Sequence, residues 1–382
     1  MNKPSLPALT GFRFIAASMV FLYHYNPFPK NSLIGSICGE MYTGVGLFFV
    51  LSGFLICYNY FDEVSLNKSF LKRFFVKRFA RIYPVYFILT TILFAYFYFR
   101  THQNHAILYL LNITLIKGFS TNYLFSGLIQ TWSLTVEECF YFLTPFIFLF
   151  IKRKVFFIQT LFIMGFGVLL VLLFRTFPFH GFFKGYQLVF MATFFGRCLE
   201  FFIGIKLALI YKKYKSGKLV YGIKNSYKLP YITIFGLVSV FICLLGLSYI
   251  TKAFNVPHAV NSFWGLVVNN AIFPLTTAIL IFGLVTEKSL LNKVLSSKAI
   301  ELLGKSSYVF YLIHAGLYAD IIAKYTGHHI IVTYICIQAF SMIIFLLIEK
   351  PLNKRIKVLF KLKDRSYDKS PTIKPSLQTL MV

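Results

Sequence analysis

The chain has 382 residues, of which 58% are hydrophobic and 13% charged, and its mean hydropathy is +0.71. Soluble domains carry about a quarter of their residues as charged side chains to cover their surface, so this composition excludes a soluble enzyme and favours an integral membrane protein. The 39 basic residues against 12 acidic residues give a net charge of +27. Such an excess of positive charge is typical of a protein that binds nucleic acid, of one that binds anionic lipid, or of a membrane topology signal. The positions of the basic residues along the chain distinguish these three explanations.

Ten apolar stretches are each long enough to span a bilayer as a helix. In chain order they cover residues 12 to 28, 43 to 60, 82 to 99, 128 to 150, 155 to 174, 192 to 210, 229 to 250, 265 to 285, 306 to 323 and 329 to 348. With a cytoplasmic N-terminus, 30 of the 39 basic residues fall in cytoplasmic segments and 7 in outer loops. This is the bias that the positive-inside rule describes.

We therefore predict an all-α integral membrane protein of the cell membrane, with about ten transmembrane helices and both termini in the cytoplasm. The basic residues are spread over several loops and form no nucleic-acid motif, so no nucleic-acid partner is expected. Residues 1–351 are predicted to form the transmembrane domain, and residues 352–382 a short basic cytoplasmic tail that is partly disordered.

The first span carries Arg13 and His24, and ionisable groups inside a membrane are costly and tend to mark function. Eleven residues of helix leave the two side chains about 20° apart on one face and about 16 Å apart along the axis. The spacing predicts that they face one cavity at different depths. Two alternatives stay open, in which Arg13 anchors the helix at the interface and His24 is a hydrogen-bonded core residue.

The second span carries Gly46 and Gly53, seven residues apart on a smooth face. Small residues at this spacing favour close packing against another helix. We interpret this face as structural, although a slender acyl chain could also lie along it.

The segment that follows, residues 68–84, places basic residues at helical spacing opposite Phe74, Phe75 and Phe79. The pattern predicts a basic amphipathic helix at the cytoplasmic surface. Arg78 and Arg81 have the side chains that bind phosphate with two parallel hydrogen bonds. Simple attraction to anionic lipid is the alternative.

The fourth span places Ser133 and Glu137 four residues apart on one face, with Trp132 and Glu138 beside them. Two adjacent carboxyl groups in a membrane helix are expensive, which favours a functional role. In the alternative, they lie at the interface and stabilise the start of the helix.

In the ninth span, Ser307, Tyr311 and His314 form one stripe, which fits either a pocket or hydrogen bonding between helices. Arg197 and Glu200 in the sixth span predict an internal ion pair. The remaining histidines are expected to face solvent, and no metal site is predicted because they lack carboxylate or Cys neighbours. These histidines are His102, His105, His180, His258, His328 and His329.

Five of these segments together resemble the membrane acyltransferase 3 family of integral-membrane O-acyltransferases. They cover residues 9–17, 44–56, 78–84, 131–138 and 307–314, and their order and spacing over residues 9–351 carry the resemblance. The sequence departs from the family at Gly46, where many relatives have an aspartate. Because 33 residues follow Glu349, we expect the chain to lack the hydrolase-like domain that is fused to some relatives.

The resemblance implies transfer of an acyl group, commonly acetyl, from cytoplasmic acyl-CoA to a hydroxyl of an envelope carbohydrate or related acceptor, with no metal. The family's functional residues fall on Arg13, His24, Ser133 and Glu137 for catalysis and on Arg78 and Arg81 for the donor, and we add Trp132, Tyr311 and His314 as a possible substrate pocket. His24 would act as general base. A covalent acyl-enzyme on His24 or Ser133 stays open, as does a different class of protein, a transporter or flippase of an anionic or sugar-containing substrate.

Overall fold

The computed structural model describes residues 5–152, 156–217 and 229–362, and over these ranges the protein is helical. A single bridge between Ser120 and Phe182 is the one extended pairing in the described chain. The helices are α1 (Pro7–His24), α2 (Leu33–Cys38), α3 (Gly44–Tyr60), α4 (Lys68–Thr101), α5 (Ala106–Ile113), α6 (Trp132–Lys152), α7 (Phe156–Thr176), α8 (Tyr186–Ala192), α9 (Phe194–Lys215), α10 (Tyr231–Ala253), α11 (Phe263–Val267), α12 (Phe273–Thr286), α13 (Leu290–Leu295), α14 (Lys298–Ile313), α15 (Leu317–Tyr325), α16 (Ile330–Ile344) and α17 (Lys350–Leu359).

Eight helical segments of the described chain are long and apolar enough to cross a membrane. They are Leu33–Glu63, Lys68–Thr101, Ile129–Ile151, Ile158–Thr176, Tyr186–Lys215, Tyr231–Ala253, Phe263–Thr286 and Ile330–Leu359. The prediction of an all-α membrane protein is thereby confirmed, while the count of ten and the cytoplasmic termini stay predictions. Two predicted spans are not among the eight, residues 12–28 and residues 306–323.

There is a physical reason why each of these two segments is not a long, apolar helix. Helix α1 has only 18 residues and includes both Arg13 and His24. The predicted span 306–323 is not one helix, because the chain breaks between α14 and α15 at residues 314–316. Gly316 there takes φ +72°, a left-handed conformation that residues with a side chain rarely adopt.

Helix α4 differs from the prediction in length and in the direction of its basic side chains. The amphipathic segment and the third span form one continuous helix of 34 residues, with Pro84 inside it, and the Asn67 side chain accepts the Phe70 N–H at its start. Phe74 is buried as predicted, but Phe79 is exposed. Arg78 and Arg81, three residues apart, face the interior of the bundle and not the surface.

The chain also continues as helix beyond the last predicted span. A π-helical turn, Phe345–Glu349, joins α16 to α17, so the first residues of the predicted tail are helical. The rest of that tail, residues 363–382, lies outside the described residues.

Helices α3 and α9 pack so closely that glycines are required where they cross. A Cβ on Gly53 would lie 2.1 Å from the carbonyl oxygen of Phe201, and a Cβ on Gly204 would lie 2.1 Å from that of Val50. These distances are far below van der Waals contact with rigid backbone. The predicted close packing along the Gly46 and Gly53 face is therefore confirmed, with α9 as the partner.

Replacing Gly204 with alanine is expected to force α3 and α9 apart and to destabilise the protein by about 1–3 kcal/mol. Thermal unfolding in detergent measures the effect as a lower midpoint. Gly165 in α7 is the matched control, because a Cβ there meets nothing within 4 Å. An equal midpoint for Gly204→Ala and Gly165→Ala would contradict the packing argument.

Candidate active site

A narrow inner cavity of about 60 Å³ lies among α1, α3, α4, α6 and α14. Its volume holds a few water molecules, at roughly 30 Å³ each in the liquid. The walls bring together side chains that are up to 298 residues apart in the sequence, from Arg13 to Tyr311. Among them are Arg13, Ser52, Arg78, Arg81, Ser133, Glu137, Tyr141, Ser307 and Tyr311.

Three arginines give this inner cavity a positive character. Arg78 donates from Nη2 to the Tyr60 hydroxyl at 3.2 Å, and its guanidinium lies 5.5 Å and 5.6 Å from the ring centres of Tyr60 and Tyr141. The buried Nε atoms of Arg13 and Arg78 have no hydrogen-bond partner. In the described ranges, no carboxylate lies within 4.0 Å of the guanidinium of Arg13, Arg78 or Arg81. The inner cavity is therefore suited to an anionic group.

Glu137 is the single carboxylate among the residues that line the inner cavity. It accepts hydrogen bonds from the Ser52 hydroxyl at 2.6 Å and from the Tyr141 hydroxyl. It lies in the second turn of α6, bound to side chains of α3 and of its own helix, so it does not cap the helix start. The adjacent Glu138 points elsewhere, into a groove beside Tyr83.

A larger outer cavity of about 420 Å³ contains His24. Its walls include Tyr23, His24, Tyr42, Gln130, Trp132, Arg197, His258, Asn261 and Tyr311. Arg13 does not reach it, so the prediction that Arg13 and His24 face the same cavity is wrong. Helix periodicity places the two side chains on the same face of α1. Residues from other helices, however, separate the cavity at Arg13 from the cavity at His24.

Tyr311 lies at this division, because it and Val45 line both cavities. The Tyr311 hydroxyl shares a 2.7 Å hydrogen bond with Ser133 Oγ and donates to the carbonyl oxygen of Gln130 at 3.1 Å. These bonds connect α14 to the start of α6. Tyr311 is buried, so it forms a wall between the inner and the outer cavity.

His24 lies beside a second imidazole. The His24 ring centre is 4.8 Å from that of Tyr23 and 5.3 Å from that of His314. His314 is fully buried at the break after α14, with Nδ1 2.8 Å from the carbonyl oxygen of Tyr311 and Nε2 without a partner. The predicted stripe is thus divided, with Ser307 and Tyr311 on the inner cavity and His314 next to His24.

The predicted ion pair of Arg197 and Glu200 is confirmed and nearly fully buried. Arg197 donates from Nε and Nη2 to the two carboxylate oxygens of Glu200, both at 2.8 Å. The pair faces Gly46, where a Cβ would lie 2.9 Å from Glu200 Oε1. A carboxylate from α9 therefore occupies the space next to the position where the sequence lacks an acidic side chain.

Sequence reasoning missed His258, which was expected to face solvent. Its ring packs 5.4 Å from that of Tyr23 and 5.8 Å from that of Tyr42, centre to centre. Burial lowers the pKa of the imidazole, and the charge of Lys30 lowers it further, against the opposing effect of a hydrogen bond to the backbone of Gly39. His258 lies in a loop without periodicity, so no sequence signal indicated its direction.

Within the described residues, no group of three or more His, Cys, Asp or Glu side chains is arranged to hold a metal ion.

The sequence profile described as the acyltransferase domain matches residues 6–350, nearly the whole described chain. The chain belongs to the acyltransferase 3 family. This confirms the resemblance carried by the five segments.

Two named relatives are similar to this chain in sequence. Peptidoglycan O-acetyltransferase OatA of Listeria monocytogenes is 30% identical over 167 residues, which is 40% of this chain and 25% of the relative. O-acetyltransferase OatA of Staphylococcus aureus strain NCTC 8325 is 27% identical over 376 residues, which is 92% of this chain and 57% of the relative. The chain therefore spans less than two thirds of either relative. No solved structure gives a significant match.

Replacing Glu200 with glutamine is expected to leave the Arg197 charge buried and uncompensated, at a cost of about 3–5 kcal/mol. The double variant Arg197→Met with Glu200→Met removes both charges and should recover most of the stability. Thermal unfolding in detergent compares the three proteins. A single variant as stable as the parent would show that the ion pair does not stabilise α9.

Proposed function

We propose that the protein is a membrane O-acyltransferase that moves an acyl group, most simply acetyl, from cytoplasmic acyl-CoA to a hydroxyl of an envelope carbohydrate. One observation carries the proposal. A cationic inner cavity and an aromatic outer cavity that contains His24 meet at two residues, Val45 and Tyr311, of which Tyr311 is the polar one. Two compartments with a shared wall allow a donor and an acceptor to be held on opposite sides of the bond that reacts.

The donor binds on the inner side in this proposal. Guanidinium groups suit phosphate because they form two parallel, charge-assisted hydrogen bonds, and among the described residues neither Arg78 nor Arg81 has a carboxylate within 4.0 Å. A cavity of about 60 Å³ admits the acyl end of the donor but not its nucleotide. The nucleotide phosphates would therefore bind at the cavity mouth, while the thioester extends inward past Arg13.

The acceptor binds on the outer side. The outer cavity volume of about 420 Å³ falls within the range of small-molecule sites, roughly 300 to 1,000 Å³. Trp132, Tyr23 and Tyr42 present aromatic rings on which the apolar face of a sugar can stack. His24 is exposed to this space and can reach an acceptor hydroxyl.

The chemistry we propose is direct transfer. His24 takes the proton of the acceptor hydroxyl while the oxygen attacks the thioester carbonyl carbon. The carbon–sulfur bond then breaks, and the CoA thiolate takes up the proton to leave as free CoA. One of the two hydroxyls of Ser133 and Tyr311, at the wall between the cavities, would turn its proton away from the Gln130 carbonyl oxygen to stabilise the negative charge that develops on the thioester oxygen. His314 would orient the His24 ring, and Glu137 would hold the inner wall through Ser52 and Tyr141.

The relatives support the acetyl group, since both are named O-acetyltransferases and one is named for peptidoglycan. The distribution of 30 basic residues on one side supports placing the inner cavity and both termini in the cytoplasm of a cell-membrane protein. The partners are then acyl-CoA, a carbohydrate and the bilayer. Residues 1–351 would form the catalytic domain, with a basic tail after it.

A single assay separates this proposal from a transporter of the same substrates. Purified protein in vesicles, given acetyl-labelled acetyl-CoA and an envelope polysaccharide, should release free CoA and label the polysaccharide. Movement of intact acetyl-CoA or polysaccharide across the vesicle, with no thioester cleavage, would overturn the proposal.

Replacing His24 with alanine is expected to lower kcat for acetyl transfer by about 10²- to 10⁴-fold, because it removes the general base. CoA release followed with a thiol reagent measures the rate. His329→Ala is the control, since His329 is exposed at the start of α16. Transfer at the parent rate by the His24 variant would assign the proton transfer to another group.

Replacing Arg81 with alanine is expected to raise KM for acetyl-CoA by roughly 10- to 100-fold, from the loss of charge-assisted bonds to phosphate. KM for acetyl-pantetheine, which lacks phosphates, should stay the same in the variant. Lys72→Ala on the same helix is the control, because Lys72 is exposed and lies over Phe360. An equal rise in KM for both donors would show that Arg81 does not bind phosphate.

A further inference from the structure

The outer cavity has a wall that none of the five segments of the family resemblance contributes. The loop between α10 and α11 carries His258, and its imidazole closes one side of the cavity against Tyr23 and Tyr42. The His258 Nε2 atom lies 3.2 Å from the Tyr23 hydroxyl. Tyr23 is adjacent in sequence to His24, and both residues line the outer cavity.

A buried carboxylate fixes this loop in place. Glu40, 1% exposed, accepts from the Thr251 hydroxyl at 2.6 Å and from the Tyr42 hydroxyl at 2.8 Å. It also accepts from the Ala259 N–H at 3.4 Å, directly after His258. One side chain thus connects the end of α10, the loop and the turn before α3, and it holds the backbone of the residue next to His258.

The Tyr23 and His258 pair keeps hydrogen-bonding capacity toward the cavity. A phenol oxygen has one proton and two lone pairs, so Tyr23 still has lone pairs to offer when its proton is directed to His258. An acceptor hydroxyl can donate to that oxygen. A neighbouring hydroxyl of the same molecule would then lie toward His24, and adjacent hydroxyls are a general feature of sugars.

The side chains that line the outer cavity carry no uncompensated charge, which favours an uncharged acceptor. Among the side chains that line it, Arg197 carries the single full charge, and Glu200 neutralises it at 2.8 Å. The other polar groups are hydroxyls, amides, an indole and imidazoles. A charged acceptor would lose its hydration without gaining an ionic partner, at a cost of several kcal/mol.

We propose that His258 and Tyr23 form the acceptor-positioning pair for an uncharged, polyhydroxylated sugar, which they hold with one hydroxyl at His24. This inference rests on the proposed function and adds the acceptor class and the residues that select it. His258 acts on the position of the acceptor, while His24 carries the chemistry.

The test is the kinetics of purified His258→Ala with acetyl-CoA and a neutral oligosaccharide panel that includes chitotriose. We expect the acceptor KM to rise roughly 2- to 13-fold, from the loss of one hydrogen bond, with kcat and the KM for acetyl-CoA within twofold of the parent. His258→Gln should restore part of the acceptor KM, because the amide oxygen can accept the Tyr23 proton. Tyr23→Phe should raise the acceptor KM in the same way.

The matched control is Phe254→Ala, a change in the same loop at an exposed residue that does not line the cavity. Thermal unfolding of each variant shows that the loop change leaves the protein folded. An unchanged acceptor KM in both His258→Ala and Tyr23→Phe overturns the inference. So does an equal loss toward donor and acceptor, because the pair would then act on the protein as a whole.

The acceptor class is tested separately with chitotriose, its deacetylated cationic counterpart and an anionic trigalacturonate. Preferential acetylation of the neutral sugar supports the inference. Preference for either charged sugar, or CoA release without transfer to any neutral sugar, overturns it while leaving acyl transfer intact. No CoA release with any acceptor would instead overturn the proposed function.

Discussion

The close crossing of α3 and α9 is the constraint on which both cavities depend. Because Gly53 and Gly204 lie at the crossing, the backbone of α3 is in direct contact with the backbone of α9. Van der Waals contact between these two rigid helices sets their separation. Helix α3 then supplies Ser52 to the inner cavity and Val45 to both, while α9 supplies Arg197 to the outer one. A wider crossing would move the two sides of the site relative to each other.

The two cavities differ in charge because the arginine of the outer cavity has a carboxylate partner and the arginines of the inner cavity do not. Arg197 has its carboxylate three residues away on the same helix, so its charge is cancelled inside the protein. Arg13, Arg78 and Arg81 face the inner cavity, where Glu137 is the one acidic side chain in the lining and is bound to Ser52 and Tyr141. A half-buried charge with no carboxylate close by is costly, and a bound anion would reduce this cost.

Sequence patterns predicted those parts of the fold and site that depend on neighbours along one helix. Long apolar runs gave most of the helices, and the Arg78–Arg81 and Ser133–Glu137 spacings placed their side chains on common faces. Three expectations failed because they depend on other parts of the chain. Composition did not show that the backbone turns at Gly316, periodicity did not show that Tyr311 separates Arg13 from His24, and the His258 loop has no period from which a direction could be read.

The wall formed by Tyr311 would help a transferase to prevent hydrolysis of its acyl donor by water from the acceptor side. If the two cavities were one open channel, water would reach the thioester, and acyl-CoA would be hydrolysed without an acceptor. The Tyr311 hydroxyl is held by Ser133 and by the Gln130 carbonyl, and these bonds connect α14 to the start of α6 where the two cavities meet. In the proposed reaction the thioester carbonyl and the acceptor hydroxyl meet where Tyr311 and Val45 line both cavities, while the rest of the CoA stays on the inner side and the rest of the sugar on the outer. Because the same two residues line both cavities, transfer from one cavity to the other would need no large movement of helices.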